Sequence, residues 1–158
     1  MVENKYLIRL AKPDDLDVLV EFNRAMARET EDKDLSIDIL TAGVQTLLKN
    51  PILGFYVVAE NKNKVTGSLM VTTEWSDWRN GIFWWIQSVY VHPDFRRQGI
   101  YRQLYEFVKE KARNQQNELK ICGFRLYVEH QNTVAQKTYE ALGMKDTGYM
   151  IFEELELG

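Results

Sequence analysis

With a single cysteine, Cys122, the chain cannot close a disulfide on itself, and it fits a reducing compartment. A lone thiol inside a β-prone run reads as a small core residue rather than a nucleophile. Two histidines, His92 and His130, are too few and too separated to suggest a metal site, and no pair of cysteines supplements them. Repeats, low-complexity tracts and linkers are absent. No apolar stretch approaches the ~20 residues of a membrane-spanning helix, and the first residues lack the apolar stretch of a signal peptide. Excess positive charge is missing too: the net charge is −3 and the isoelectric point near 5.5, which argues against nucleic acid as a partner. These absences lead us to expect a cytoplasmic protein that engages neither membrane nor nucleic acid.

What the chain does have is a hydrophobic fraction of 45% and a charged fraction of 27% over 158 residues, enough for one domain with a real core. The patterning predicts alternating elements. Tyr6–Leu10 reads as a short strand. Pro13-Asp14-Asp15 suits a helix start, and Leu16, Leu19, Phe22 and Met26 recur at helical spacing. The run Glu29–Asp34 reads as an acidic connector. Ser36 can cap a second helix whose apolar side is Ile37, Leu40, Val44, Leu47 and Leu48. Gly54–Glu60 and Val65–Thr73 form a hairpin pattern around Asn61–Lys64, and Ile82–Val91 is the most β-prone run. A helix over Gln98–Asn114, a strand over Ile121–Glu129, a helix over Asn132–Leu142 and a last strand over Tyr149–Leu155 complete the series. The natural packing is α/β (α+β): a mixed sheet covered by helices.

One junction carries chemistry. At Val89-Tyr90-Val91-His92-Pro93-Asp94-Phe95-Arg96-Arg97-Gln98-Gly99-Ile100-Tyr101 a strand ends, a loop brings two arginines and a glycine, and a helix begins. The first amides of a helix lack intrahelical acceptors and carry partial positive charge, so an anion fits there. A glycine lets a phosphate approach the backbone, and arginines add charge-assisted hydrogen bonds. An ordinary surface turn with two solvated arginines is the competing reading of the same residues.

Arg96-Arg97-Gln98-Gly99-Ile100-Tyr101 resembles motif A of the GCN5-related N-acetyltransferases, the GNAT superfamily, whose pattern is Gln/Arg-x-x-Gly-x-Gly/Ala. Arg96 and Gly99 match; Tyr101 stands where the family has Gly or Ala. A second block, Asn132-Thr133-Val134-Ala135-Gln136-Lys137-Thr138-Tyr139-Glu140-Ala141-Leu142-Gly143-Met144, resembles the family's Asn-x-x-Ala-x-x-x-Tyr-x-x-x-Gly-Phe segment. The resemblance spans about Tyr6 to Leu155. Diamine acetyltransferase-like members are the nearest in pattern, through Trp84–Val91 and the loop Glu74–Trp78.

The resemblance implies a mostly antiparallel mixed sheet of six to seven strands with four helices. It also implies acetyl-CoA as co-substrate and a small-molecule amine as acceptor, a polyamine or other cationic amine among the candidates. A homodimer is the habit of such proteins. The implied cofactor-binding residues are Val89 and Val91, through their backbone, then Arg96, Arg97, Gln98, Gly99, Ile100, Tyr101 and Arg102, with Asn132, Ala135 and Tyr139. Tyr139 is the implied general acid; a phenol with a pKa near 10 can protonate a departing thiolate. Its bland role is a core tyrosine, and that of Asn132 is a helix cap. Gln87 stands where diamine acetyltransferase-like members often carry a glutamate. It cannot take a proton, which leaves the base to a water chain or to a carboxylate such as Glu29, Glu74 or Asp77. Trp75, Trp78, Trp84 and Trp85, with Asp77 among them, could greet a cationic amine. They could equally be core or interface residues, and Trp84 and Trp85 must face opposite sides of a strand. A protein or peptide N-acetyltransferase and a non-catalytic acyl-CoA sensor remain as alternatives.

Overall fold

The computed structural model describes residues 4–115 and 119–156. The chain divides into two compact units, Met1–Leu126 and Tyr127–Gly158. The first holds β1 (Leu7–Leu10), α1 (Leu16–Glu31), α2 (Ile37–Lys49), β2 (Gly54–Asn61), β3 (Lys64–Ser76), β4 (Gly81–Val91), α3 (Ile100–Arg113) and β5 (Lys120–Arg125). The second holds α4 (Thr133–Ala141).

The five strands form one sheet in the order β1-β2-β3-β4-β5. The first four are antiparallel neighbours, and β4–β5 is parallel. Alternation along the strands sends side chains to two faces, each covered by helix. On one face Leu19 and Val20 of α1 and Val44 and Leu47 of α2 bury against Tyr56 and Val58 of β2. The residues between, Val57, Ala59, Leu69 and Val71, are fully buried on the opposite face, against which α3 sets Ile100, Leu104, Tyr105 and Val108. Local chemistry agrees with the packing. The Ser36 hydroxyl accepts from the Ile39 amide at 3.4 Å to start α2. Arg9 of β1 donates to Asp15 at 2.7 Å and to Glu60 at 2.8 Å, fastening the start of α1 to the first strand pair.

Two features shape β4. Its ladder with β5 runs only from Gly81↔Lys120 to Trp85↔Arg125, while its ladder with β3 continues to Val91↔Gly67. Between Gln87 and Tyr90, Ser88 and Val89 stand opposite the single Leu69: a β-bulge, with Ser88 at φ 51°. Such a bulge bends its strand and sharpens the local twist.

The expected strand over Tyr149–Leu155 does not form, and the sheet has five strands rather than six or seven. Just before it, the Asp146 carboxylate accepts from the Gly148 amide at 2.8 Å and the Thr147 hydroxyl from the Tyr149 amide at 3.1 Å. These local bonds compete with ladder pairing at the point where a strand would begin. The strand expected to reach Glu129 stops at Arg125, where pairing with β4 stops. α1 runs on to Glu31, so half of the expected acidic connector is helical.

Gly67 shows how tightly α3 is seated. A Cβ there would lie 3.0 Å from Ile100 Cγ2 and 3.2 Å from the Tyr90 carbonyl oxygen. Gly67→Val should therefore destabilise the fold by about 1–3 kcal/mol through overpacking, read from urea unfolding midpoints.

Candidate functional site

The loop between β4 and α3 is built by short-range bonds. His92 pairs its amide with the Thr66 carbonyl at 2.9 Å, extending the β3–β4 register by one bond. Phe95 and Arg96 donate back to the His92 and Pro93 carbonyls at 2.9 and 3.3 Å, which turns the chain. Arg97 and Gly99 then adopt left-handed backbone, φ 61° and 73°. At Gly99 this conformation favours glycine, and a Cβ would meet nothing within 4 Å, so open space lies beside the backbone. Gly99 caps α3 without any side-chain bond to the first amides. Those amides, of Ile100, Tyr101 and Arg102, precede the first intrahelical bond, Gln103 N–H to Gly99 oxygen at 3.1 Å. The arrangement fits a pyrophosphate: uncapped amides, positive dipole and no side chain in the way.

The side chains of the loop divide by task. Arg96 donates from Nε to the Val91 carbonyl at 2.8 Å and from Nη2 to Glu29 at 2.7 Å, with its guanidinium 5.4 Å from the Tyr90 ring centroid. Gln98 accepts from Tyr6 Oη and from Lys5 Nζ and donates to the Asp94 carbonyl at 3.4 Å, tying the loop to the start of β1. Arg97 and Arg102 are exposed. Ile100 is buried, anchoring the helix start. Tyr101, the departure from the family pattern, stacks on Tyr105 one turn along (centroids 6.2 Å, planes at 10°), so the helix flank takes up its ring. Val89 and Val91 are half-buried, on the stretch of β4 that β5 does not pair.

On the face covered by α1 and α2, Gln87 donates from Nε2 to Thr72 Oγ1 at 2.7 Å. Glu74 is ion-paired with Arg125, whose guanidinium lies 3.7 Å from the Phe83 ring centroid. Asp77 accepts from the Trp78 amide at 2.9 Å. Glu29 accepts from Tyr90 Oη at 3.1 Å as well as from Arg96. Burial first, and the Glu29 carboxylate next, push the Tyr90 hydroxyl above its ordinary pKa, which keeps it a donor. The acidic run between the helices is largely spent internally: Glu29 on Arg96, Glu31 on Lys33 and Asp34 on Arg28. The tryptophans separate as strand alternation requires. Trp84 is buried beside Phe55 and Phe124, Trp85 is half-buried, and Trp75 and Trp78 are 52% and 88% exposed.

In the second unit, the Asn132 side-chain oxygen accepts from the Ala135 amide at 3.1 Å, the helix-cap role. Ala135 and Tyr139 are half-buried on α4. Burial pushes the Tyr139 hydroxyl above the ordinary tyrosine value.

Sequence reasoning missed the Glu29–Tyr90–Arg96 network and the bulge. Gly67 in mid-strand was a usable sign of close backbone approach. Nothing local marked Glu29, whose partners are 61 and 67 residues away.

The chain belongs to the acetyltransferase (GNAT) family, whose model matches residues 16–144. It is similar to the crystal structure of a possible acetyltransferase from Clostridium difficile 630, at 44% identity and a TM-score of 0.88, covering 98% of this chain and 100% of that one. Its fold is also that of the aminoglycoside N-acetyltransferase AAC(6')-Iy in complex with CoA, at 19% identity and a TM-score of 0.74, covering 95% of this chain and 94% of that one. A GCN5-related N-acetyltransferase from Ralstonia eutropha JMP134 shares the fold at 20% identity and a TM-score of 0.77, over 94% of this chain and 98% of that one. No curated protein matches the chain.

Proposed function

We propose that the protein transfers the acetyl group of acetyl-CoA to the primary amine of a small molecule, by direct attack within a ternary complex. The observation that carries this reading is the uncapped amino end of α3 behind Gly99, set where β4 has parted from β5. The α3 amides and Arg97 are assigned to the pyrophosphate, and the backbone of Val89 and Val91 to the pantetheine arm. Family membership supports the assignment, and so does the complex of AAC(6')-Iy with CoA, a protein of the same fold. The thioester supplies the acyl group and a thiol leaving group.

The chain's own residues have three duties: to hold the donor, to admit a neutral amine and to return a proton to the thiolate. Tyr139 is proposed as the acid, with Asn132 and Ala135 beside it in the same sequence block. Its raised pKa supports this, because the phenol keeps its proton beyond the ordinary value of about 10. No lone carboxylate is offered as base. Glu29 and Glu74 are each engaged in an ion pair, with Arg96 and Arg125, so water is assigned the amine proton. A polyamine stays within the proposed acceptor class, although the acidic run is occupied by the chain's own cations.

Release of CoA thiol from acetyl-CoA should appear with at least one class among polyamines, amino acids, aminoglycosides and short peptides. Release with peptides alone would favour a peptide acetyltransferase; CoA binding without release would favour a sensor. Gly99→Glu should abolish CoA binding in calorimetry, since it puts strain, bulk and negative charge at the anion site; unchanged affinity would remove the assignment. Tyr139→Phe should lower turnover about 10- to 100-fold with far less effect on CoA affinity. In the parent enzyme, the alkaline limb of turnover should lie above pH ~10, and Tyr139→Phe should erase it.

A further inference from the structure

Glu29 breaks a local rule. It lies in the last turn of α1, which closes at Asp32 with φ 51°. A carboxylate there opposes the negative end of the helix dipole. Residues that violate local preference are expected where function needs them. Here the carboxylate leaves the helix and divides its two oxygens. One accepts from Tyr90 Oη at 3.1 Å and the other from Arg96 Nη2 at 2.7 Å. The Tyr90 ring is itself immobilised: it is buried, 5.0 Å from Phe22 of α1 by centroids, and lies under the Arg96 guanidinium. Arg96 is thereby gripped at two nitrogens, Nη2 by Glu29 and Nε by the Val91 carbonyl. The Val91 bond closes the turn that delivers Arg97 and Gly99 to the amino end of α3.

We infer that Glu29 is a positioning residue for the anion-binding loop. It orients Arg96, which in turn holds the Val91 carbonyl and fixes the span from the end of β4 to the first amides of α3. This rests on the proposed use of acetyl-CoA. An arginine already held at two points loses little side-chain freedom when an anion arrives, and a loop already turned loses little backbone freedom. Without the carboxylate, the guanidinium regains its rotamers and the loop start regains its mobility.

CoA binding by calorimetry on the full chain tests this, comparing the parent with Glu29→Gln, Arg96→Met, their double variant and Asp34→Asn. Asp34→Asn is the control: it removes another ion pair at the same helix end, between Arg28 and Asp34, with no link to the loop. Glu29→Gln and Arg96→Met should each weaken CoA about tenfold, and the double variant should be no weaker than the worse single one. Asp34→Asn should bind like the parent. Glu29→Gln binding within twofold of the parent, losses that multiply in the double variant, or an equal loss in Asp34→Asn would each overturn the inference. If Glu29→Gln does not fold, Tyr90→Phe carries the test: about threefold weaker CoA binding supports it, and parental affinity overturns it. A parent chain without CoA affinity overturns the proposed function and this inference together. CoA affinity without any acetylated amine bears only on the catalytic reading and leaves this test standing.

Discussion

Among the described residues, β4 from Ile86 onward has a hydrogen-bonded neighbour strand on one side only. The parallel ladder with β5 ends at Trp85, while the antiparallel ladder with β3 continues to the strand's end. A sheet interior normally satisfies both sides of every strand, so an interior strand with one side released offers backbone donors and acceptors that are directional and already in place. The rest of the first unit keeps this opening from healing. The bulge at Ser88 and Val89 turns β4 away, Gly67 lets α3 press against its last residues, and α1 reaches across the opposite face to hold Tyr90.

The loop after β4 inherits its direction from that opening. Three separate parts of the chain tie it down: β3 through His92, the start of β1 through Gln98, and α1 through Arg96. The groups engaged in this are not the first amides of α3. The loop is therefore held by groups other than these amides, so its rigidity does not use up those donors.

Much of this was legible in the chain. Helical periodicity located α1, α2 and α3 because each buries an apolar stripe, and alternation located β2, β3 and β4. The Arg-Arg-Gln-Gly junction was legible because its chemistry is backbone chemistry at a helix start, which is local. The failures were non-local. Tyr149–Leu155 has strand composition, but a strand exists only with a partner, and composition names none. The bonds of Arg96 to Glu29 and to the Val91 carbonyl were not read from the chain, because an ion pair between residues 67 apart leaves no trace in spacing. In the acidic run, Glu31 and Asp34 pair with Lys33 and Arg28 close by in sequence, whereas Glu29 pairs with the distant Arg96.

The bulge also sets terms for how this surface can change over evolution. Side chains before it, such as Gln87, and after it, such as Tyr90, share the α1 face although they lie an odd number of positions apart. Losing one residue at Ser88 or Val89 would place these two side chains two positions apart, restoring strict alternation with both still on that face. What would go is the local bend and added twist that the extra residue gives the strand. A deletion here would therefore change the direction in which β4 runs toward the loop, and leave unchanged which side chains face α1.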